Sequence, residues 1–144
     1  MTYLPTPEHE ELRAVVRELA TERIAPRAAE IDEKAEFPWD LKELLAQQDL
    51  LGTCFEERHG GTALDTVAQS ILIEEIARAD ATTSLIPIVQ KLGALPILLA
   101  GSDEQKDRYV PRLASGEWLA AFALTEAAAG SDVASDRTRA RRQG

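Results

Sequence analysis

With 144 residues the chain has room for one domain that buries roughly two thirds of its unfolded surface. Apolar residues make up 44% of it but aromatics only 5%, so a core of Leu, Ile, Val and Ala is expected, a composition suited to helix packing. The net charge of −9 is uneven: the last nine residues hold four Arg and one Asp, leaving 12 basic against 24 acidic side chains in residues 1–135, a body that repels nucleic acid and anionic membranes.

Residues 6–23 predict an amphipathic helix. Thr6 caps it, Pro7 suits the first helical position, and Glu8, Glu10 and Glu11 favour the positive end of the dipole. Leu12, Val15, Val16 and Leu19 form its apolar stripe. Pro26 breaks the pattern and opens a second short helix through about Lys34. Phe37-Pro38-Trp39 makes a corner, after which Leu41, Leu44 and Leu45 carry a third helix to near Gly52. Residues 53–64 read as irregular, turning at Gly60-Gly61. A fourth helix from about Asp65 to Ala79 gathers Val67, Ala68, Ile71, Leu72, Glu75 and Ile76 near one face.

The run 85–100 predicts a fifth helix, apolar nearly all round and therefore central. Pro87, Gln90, Lys91, Gly93 and Pro96 interrupt it, which argues for a buried core helix and against a membrane span of about 20 apolar residues. Gly101 ends it, Ser102-Asp103-Glu104-Gln105 is a capping box, and a sixth helix follows with Tyr109, Val110 and Leu113 inward, closed by Ser115-Gly116. Only then does the period change. Trp118, Ala120, Phe122 and Leu124 alternate with Leu119, Ala121, Ala123 and Thr125 as in a strand, and Arg137-Thr138-Arg139-Ala140-Arg141 alternates again. The expected fold class is all-α, an orthogonal six-helix domain over residues 1–117. A short β-strand pair over residues 118–144 would begin a truncated β domain.

A single Cys54 excludes an internal disulfide and fits a reducing cytoplasmic setting, and no basic n-region precedes an apolar stretch at the N-terminus. Cys54 has no His nearby in sequence and reads as a small core residue. His9 and His59 are far apart and no Cys/His spacing suggests a metal, so both read as surface or turn residues. Glu74 and Glu75, adjacent on a helix, point about 100° apart and do not share one proton; pairing of Glu74 with Arg78 at i,i+4 is the expected job.

The densest chemistry lies in Phe122-Ala123-Leu124-Thr125-Glu126-Ala127-Ala128-Ala129-Gly130-Ser131-Asp132. It places hydroxyls and free backbone N–H groups at the end of an extended segment, where a planar heterocycle or a phosphate fits. By itself such a sequence is an ordinary turn in most proteins. The run resembles the Thr/Ser-Glu-x-x-x-Gly-Ser-Asp flavin signature of the acyl-CoA dehydrogenase family. Other landmarks follow that family's order: Phe55-Glu56-Glu57-Arg58-His59-Gly60-Gly61, Ile73-Glu74-Glu75-Ile76-Ala77-Arg78, Gly101-Ser102-Asp103-Glu104-Gln105-Lys106 and Leu113-Ala114-Ser115-Gly116-Glu117. Glu56 stands where the family often has Pro, His59 where it often has Tyr, and Ala127-Ala128 where Pro-Gly is frequent.

The resemblance implies an FAD-dependent CH–CH oxidoreductase of fatty acid metabolism. In such enzymes a carboxylate removes the α-proton of an acyl-CoA while the β-hydride passes to the flavin. It assigns Phe122, Leu124, Thr125, Gly130 and Ser131 to the cofactor and Ser131 also to the acyl-CoA substrate, with the acyl chain near helices around 85–98. Glu126 and Asp132 read as loop-bracing carboxylates. No catalytic residue falls on residues 1–144, because the family's base lies in a later helical domain. The expectation is therefore a fragment without turnover. As implied partners it has acyl-CoA, electron-transfer flavoprotein and further subunits of a homo-oligomer; nucleic acid is not among them. The alternative is a non-catalytic helical binding or dimerisation module that pairs with a full-length relative or a second polypeptide. Related flavin chemistries on the same fold, such as an acyl-CoA oxidase, differ mainly in regions outside this sequence.

Overall fold

A computed structural model describes residues 4–143 of the protein. Helix α1 spans Pro7–Leu19 and passes without a break through a π-helical turn, Ala20–Ile24, and a 3-10 turn, Ala25–Arg27, into α2, Ala28–Lys34. Pro26 therefore does not separate two helices. The Ala25 N–H reaches back five residues to the Ala20 carbonyl, and this widened turn takes in the proline that a regular α-turn would reject. With α1 and α2 joined, the described residues form five helical rods rather than six. The others are α3 (Trp39–Gln47), α4 (Thr66–Ala79), α5 (Ala81–Ala100) and α6 (Asp103–Ala114).

Capping fixes where the rods begin. At α1 the Thr6 hydroxyl accepts the His9 N–H, while His9 Nδ1 accepts the Thr6 N–H at 3.0 Å, a reciprocal cap with histidine in the usual Glu/Gln place. Helix α5 starts four residues earlier than its apolar run, because the Asp80 carboxylate accepts from both the N–H and the hydroxyl of Thr83. At α6 the predicted box forms, with Ser102 Oγ accepting the Gln105 N–H and Gln105 Oε1 accepting the Ser102 N–H.

Two apolar clusters hold the rods together. The larger joins Val16, Ala20 and Ile24 to Leu45, Leu72, Ile76 and Ile86, so α1, α3, α4 and α5 share one core. The smaller seats Phe55 among Ala94, Val110, Leu113 and Ala114, fixing α6 against α5. Val15, expected inward, is 65% exposed, since the stripe that faces α4 runs through Val16 and Ala20.

The helix expected to be apolar all round is not. Leu85, Ile88, Leu92, Leu95 and Leu99 lie exposed along α5 at alternating spacings of three and four, while Thr83, Ser84 and Gln90 are buried on its other side. Helix α5 has the length and apolarity to cross a membrane, but its buried face packs on α4 and α6. The predicted strand pair is also absent among the described residues, where the only bridge is isolated, between Glu126 and Ala129. A strand needs a ladder partner, and among the described residues none pairs with 118–125.

Candidate functional site

The segment that leaves α6 is tied to the helices at its start and open beyond. Trp118 donates its N–H to the Arg112 carbonyl, and its ring lies under the Arg112 guanidinium at 4.5 Å. Ala120 donates to Gln90 Oε1 at 2.9 Å. From 121 to 125 the backbone has no regular secondary structure and its N–H groups make no backbone hydrogen bond among the described residues. Phe122 and Leu124 are 44% and 41% exposed, and Thr125 is exposed beside them.

A tight turn follows. The Glu126 N–H donates to the Ala129 carbonyl at 3.0 Å and the Ala129 N–H returns to the Glu126 carbonyl at 3.2 Å. Ala129 is buried, whereas Gly130 and Ser131 are exposed. The Glu126 carboxylate accepts the N–H groups of Thr138 and Arg137 at 2.8 and 3.0 Å, which close the loop and hold its pKa below the usual carboxylate range. Asp132 accepts the Ser135 hydroxyl. Both acids brace the loop. The arginine-bearing stretch thus supplies backbone donors to Glu126 instead of a second strand.

A methyl group added at Gly130 would meet nothing within 4 Å, so no neighbour in the described structure requires glycine there. Open space at Gly130, unpaired N–H groups at 121–125 and the free Thr125 hydroxyl suit a flat heterocycle with an acceptor edge, and the residues present fit a flavin. All of the predicted cofactor residues lie exposed on this one segment and its turn.

Two of the clefts against α5 bear on the site. One of about 230 Å³ is walled by Phe37, Leu85, Ile86, Val89, Leu119 and Ala120, beside the start of the candidate segment. The other, about 410 Å³, lies between α4 and α5 and takes in Cys54, Gln69, Ile88 and Lys91. Cys54 is free and half-buried, and burial pushes its thiol pKa up, which keeps it protonated and unreactive. Of the histidines, His9 Nε2 lies 3.2 Å from Asp65. His59 sits in the turn as expected but is buried, not at the surface. Glu74 pairs with Arg13 of α1, not with Arg78, which instead meets Glu75. Sequence reasoning treated Gln90 as an interruption; the structure makes it a buried junction of three elements. An amide set inside a mostly apolar helical run is the signal that could have found it.

Known proteins share this arrangement. Residues 6–117 match the family described as "Acyl-CoA dehydrogenase, N-terminal domain". A protein of Mycobacterium tuberculosis named probable acyl-CoA dehydrogenase FadE25 is 47% identical over 137 residues, covering 95% of this chain and 35% of its own length. Among solved structures, glutaryl-CoA dehydrogenase from Mycobacterium smegmatis superposes with a TM-score of 0.87 at 36% identity, over 98% of this chain and 37% of that one. An acyl-CoA dehydrogenase from Bacillus anthracis complexed with FAD superposes with a TM-score of 0.82 at 34% identity, over 92% of this chain and 23% of that one. The fold thus defines an acyl-CoA dehydrogenase-type N-terminal helical domain. The chain belongs to the acyl-CoA dehydrogenase family. It spans about a third of the length of the curated relatives it matches.

Proposed function

We propose that residues 1–144 supply the helical side of a flavin-dependent acyl-CoA dehydrogenase, a CH–CH oxidoreductase acting on acyl-CoA thioesters. Residues 118–144 would form the opening of its flavin-binding β domain. The observation that carries this reading is the open loop itself: backbone N–H donors without backbone partners among the described residues, the Thr125 hydroxyl, and unfilled space at Gly130 on one segment. FAD, when bound, supplies the hydride acceptor. Backbone donors near Leu124 and the Thr125 hydroxyl would hold its pyrimidine edge and stabilise charge that develops there on reduction. Phe122 would cover the ring, Gly130 would admit close approach, and Ser131 would contact both the cofactor and the acyl-CoA. The cleft walled by Phe37, Leu85 and Val89 supports seating an acyl chain against α5. Electron-transfer flavoprotein is the proposed electron acceptor, a homo-oligomer the proposed assembly, and the cytoplasm the proposed location.

Residues 1–144 by themselves are proposed to bind without turnover, with the α-proton base supplied from outside them. The test is to purify the chain, add FAD, remove free cofactor, and measure both retained flavin absorbance and reduction of a dye by short-chain acyl-CoA. Retained flavin without turnover is expected. Turnover would overturn the assignment of the base elsewhere, and complete loss of flavin would overturn the cofactor site in this chain.

One observation favours a second reading, a helical module that pairs with a full-length relative or a second polypeptide. The exposed stripe Leu85, Ile88, Leu92, Leu95, Leu99 is a continuous apolar ridge. Sedimentation separates the two: the module reading requires a discrete assembly and no bound flavin.

A further inference from the structure

Gln90 is 1% exposed on α5, and its side-chain amide has every group engaged by backbone outside that helix. Nε2 donates to the Leu113 carbonyl at 2.6 Å and to the Trp118 carbonyl at 2.9 Å, while Oε1 accepts the Ala120 N–H at 2.9 Å. Two carbonyls and one N–H around one amide allow a single orientation of its oxygen and nitrogen, since the flipped form sets like against like. The Trp118 carbonyl and the Ala120 N–H flank Leu119 on the edge of the segment that meets Gln90. Gln90 therefore meets that edge as a peptide group of a neighbouring strand would.

One turn further along α5, Gly93 provides the second half of the contact. A Cβ there would lie 2.7 Å from Ala120 Cβ and 2.8 Å from both the N and O of Ala121. The segment's backbone thus rests directly on the helix, held from Gln90 and seated on Gly93. After Ala121 the chain is free of both and enters the Phe122–Ser131 loop.

We infer that Gln90 and Gly93 are a positioning pair that fixes the register of residues 118–121 on α5, and so sets where the flavin-facing segment 122–125 begins. The flavin consequence rests on the function proposed above; the register itself does not. Gln90 touches no reacting atom in this scheme. It acts through Ala120 and the four residues that follow.

The experiment is hydrogen exchange by mass spectrometry on the full 144-residue chain and on Gln90→Met, Gln90→Glu and Gly93→Ala, each paired with an FAD titration that reads the flavin absorbance band. Gln90→Met keeps the volume and loses all three bonds, so exchange within 118–122, at the Ala120 amide that Gln90 holds, should rise roughly tenfold or more while amides of α1 and α4 hold their rates. Gln90→Glu keeps the acceptor for Ala120 but sets its second oxygen against the Leu113 and Trp118 carbonyls, so it should loosen the segment as Gln90→Met does. Gly93→Ala removes no hydrogen-bonding group, yet should raise the same local exchange by displacing residues 120–121. Each variant that loosens the segment should weaken FAD binding by a similar factor and shift its absorbance band. Unchanged exchange at 118–122 in both Gln90→Met and Gly93→Ala overturns the inference, as does a uniform rise across all helices. A native chain that binds no FAD, with local exchange still responding to the variants, leaves the register standing and removes the flavin reading.

Discussion

Glu75 on α4 grips Arg17 on α1 through both carboxylate oxygens, at 2.9 Å from Nε and 2.8 Å from Nη2. Arg13, one turn earlier, reaches the same carboxylate at 3.0 Å. The Glu75 side chain is 1% exposed, so the pairing with Arg17 first, and Arg13 after it, overcomes burial and lowers the carboxyl pKa from 4.5 to about 2. A depressed folded-state value means stability that is fully present above the unfolded value of 4.5 and is lost as pH falls toward 2. That difference corresponds to roughly 3 kcal/mol. Glu75→Gln should therefore destabilise the protein by about that amount at neutral pH, in line with breaking a buried pair. Below pH 2 both proteins carry an uncharged side chain, and their urea midpoints should converge. Equal separation of the midpoints at both pH values would show that the ion pair contributes nothing specific.

Gly61 tests the turn that seats Phe55. A Cβ at Gly61 would stand 2.1 Å from the Phe55 carbonyl oxygen and 2.7 Å from that of Gly52, both backbone atoms with little freedom to yield. Those two carbonyls also accept the N–H groups of Ala63 and Thr62, so moving either breaks a turn bond. Gly61→Ala should cost about 3 kcal/mol or more and show the loss as a lower thermal midpoint. Gly60→Ala is the informative companion. Its φ of 82° strains any side chain, but open space surrounds it, so a milder loss of about 1 kcal/mol is expected.

The capping box of α6 predicts a graded series. Ser102→Ala removes the acceptor for the Gln105 N–H and should cost about 1 kcal/mol, whereas Ser102→Asp keeps an acceptor and should cost little. Because Val110 and Leu113 pack α6 against Phe55, the loss should appear as one cooperative shift in helical circular dichroism, not as fraying alone.

Most helices were legible because their signals are local. The cap at Thr6, the box at Ser102, the 3.6-residue stripe of α4 and the breaks at Gly101 and Gly116 act within a few residues. What failed needed tertiary knowledge. Pro26 reads as a break unless the preceding turn widens, and that widening answers to Ala20 and Ile24 being buried together. Residues 118–125 alternate in sequence only: in the structure Leu119 and Ala120 are both half-buried and residues 121–125 are all exposed, because a strand depends on its neighbour and not on its own side chains. Helix α5 looked central from composition, which cannot say that only one face is covered. On the candidate loop, Glu126 and Asp132 brace it as their types suggest, while the Gln90 contact spans up to thirty residues in sequence and left no local mark beyond one misplaced amide.

Gly130 separates stability from binding more cleanly than any other position. Since a Cβ there meets nothing within 4 Å and the backbone is not in the left-handed region, Gly130→Ala should leave the unfolding free energy within about 0.5 kcal/mol of the native protein. Gly61→Ala, by contrast, disrupts packing already present. If a flavin lies against the loop, the added methyl intrudes into its contact distance, and Gly130→Val intrudes further. FAD affinity should then fall in the order Gly, Ala, Val while the melting curves stay superimposed. Thr125→Val adds an independent control, removing a donor with little change in shape and so weakening FAD through lost hydrogen bonding alone, by roughly fivefold to tenfold. Isothermal titration with FAD across the four proteins reads both effects. Equal affinities throughout would mean that the open space at Gly130 faces solvent in the bound state as well, and the cofactor assignment of this loop would have to be abandoned.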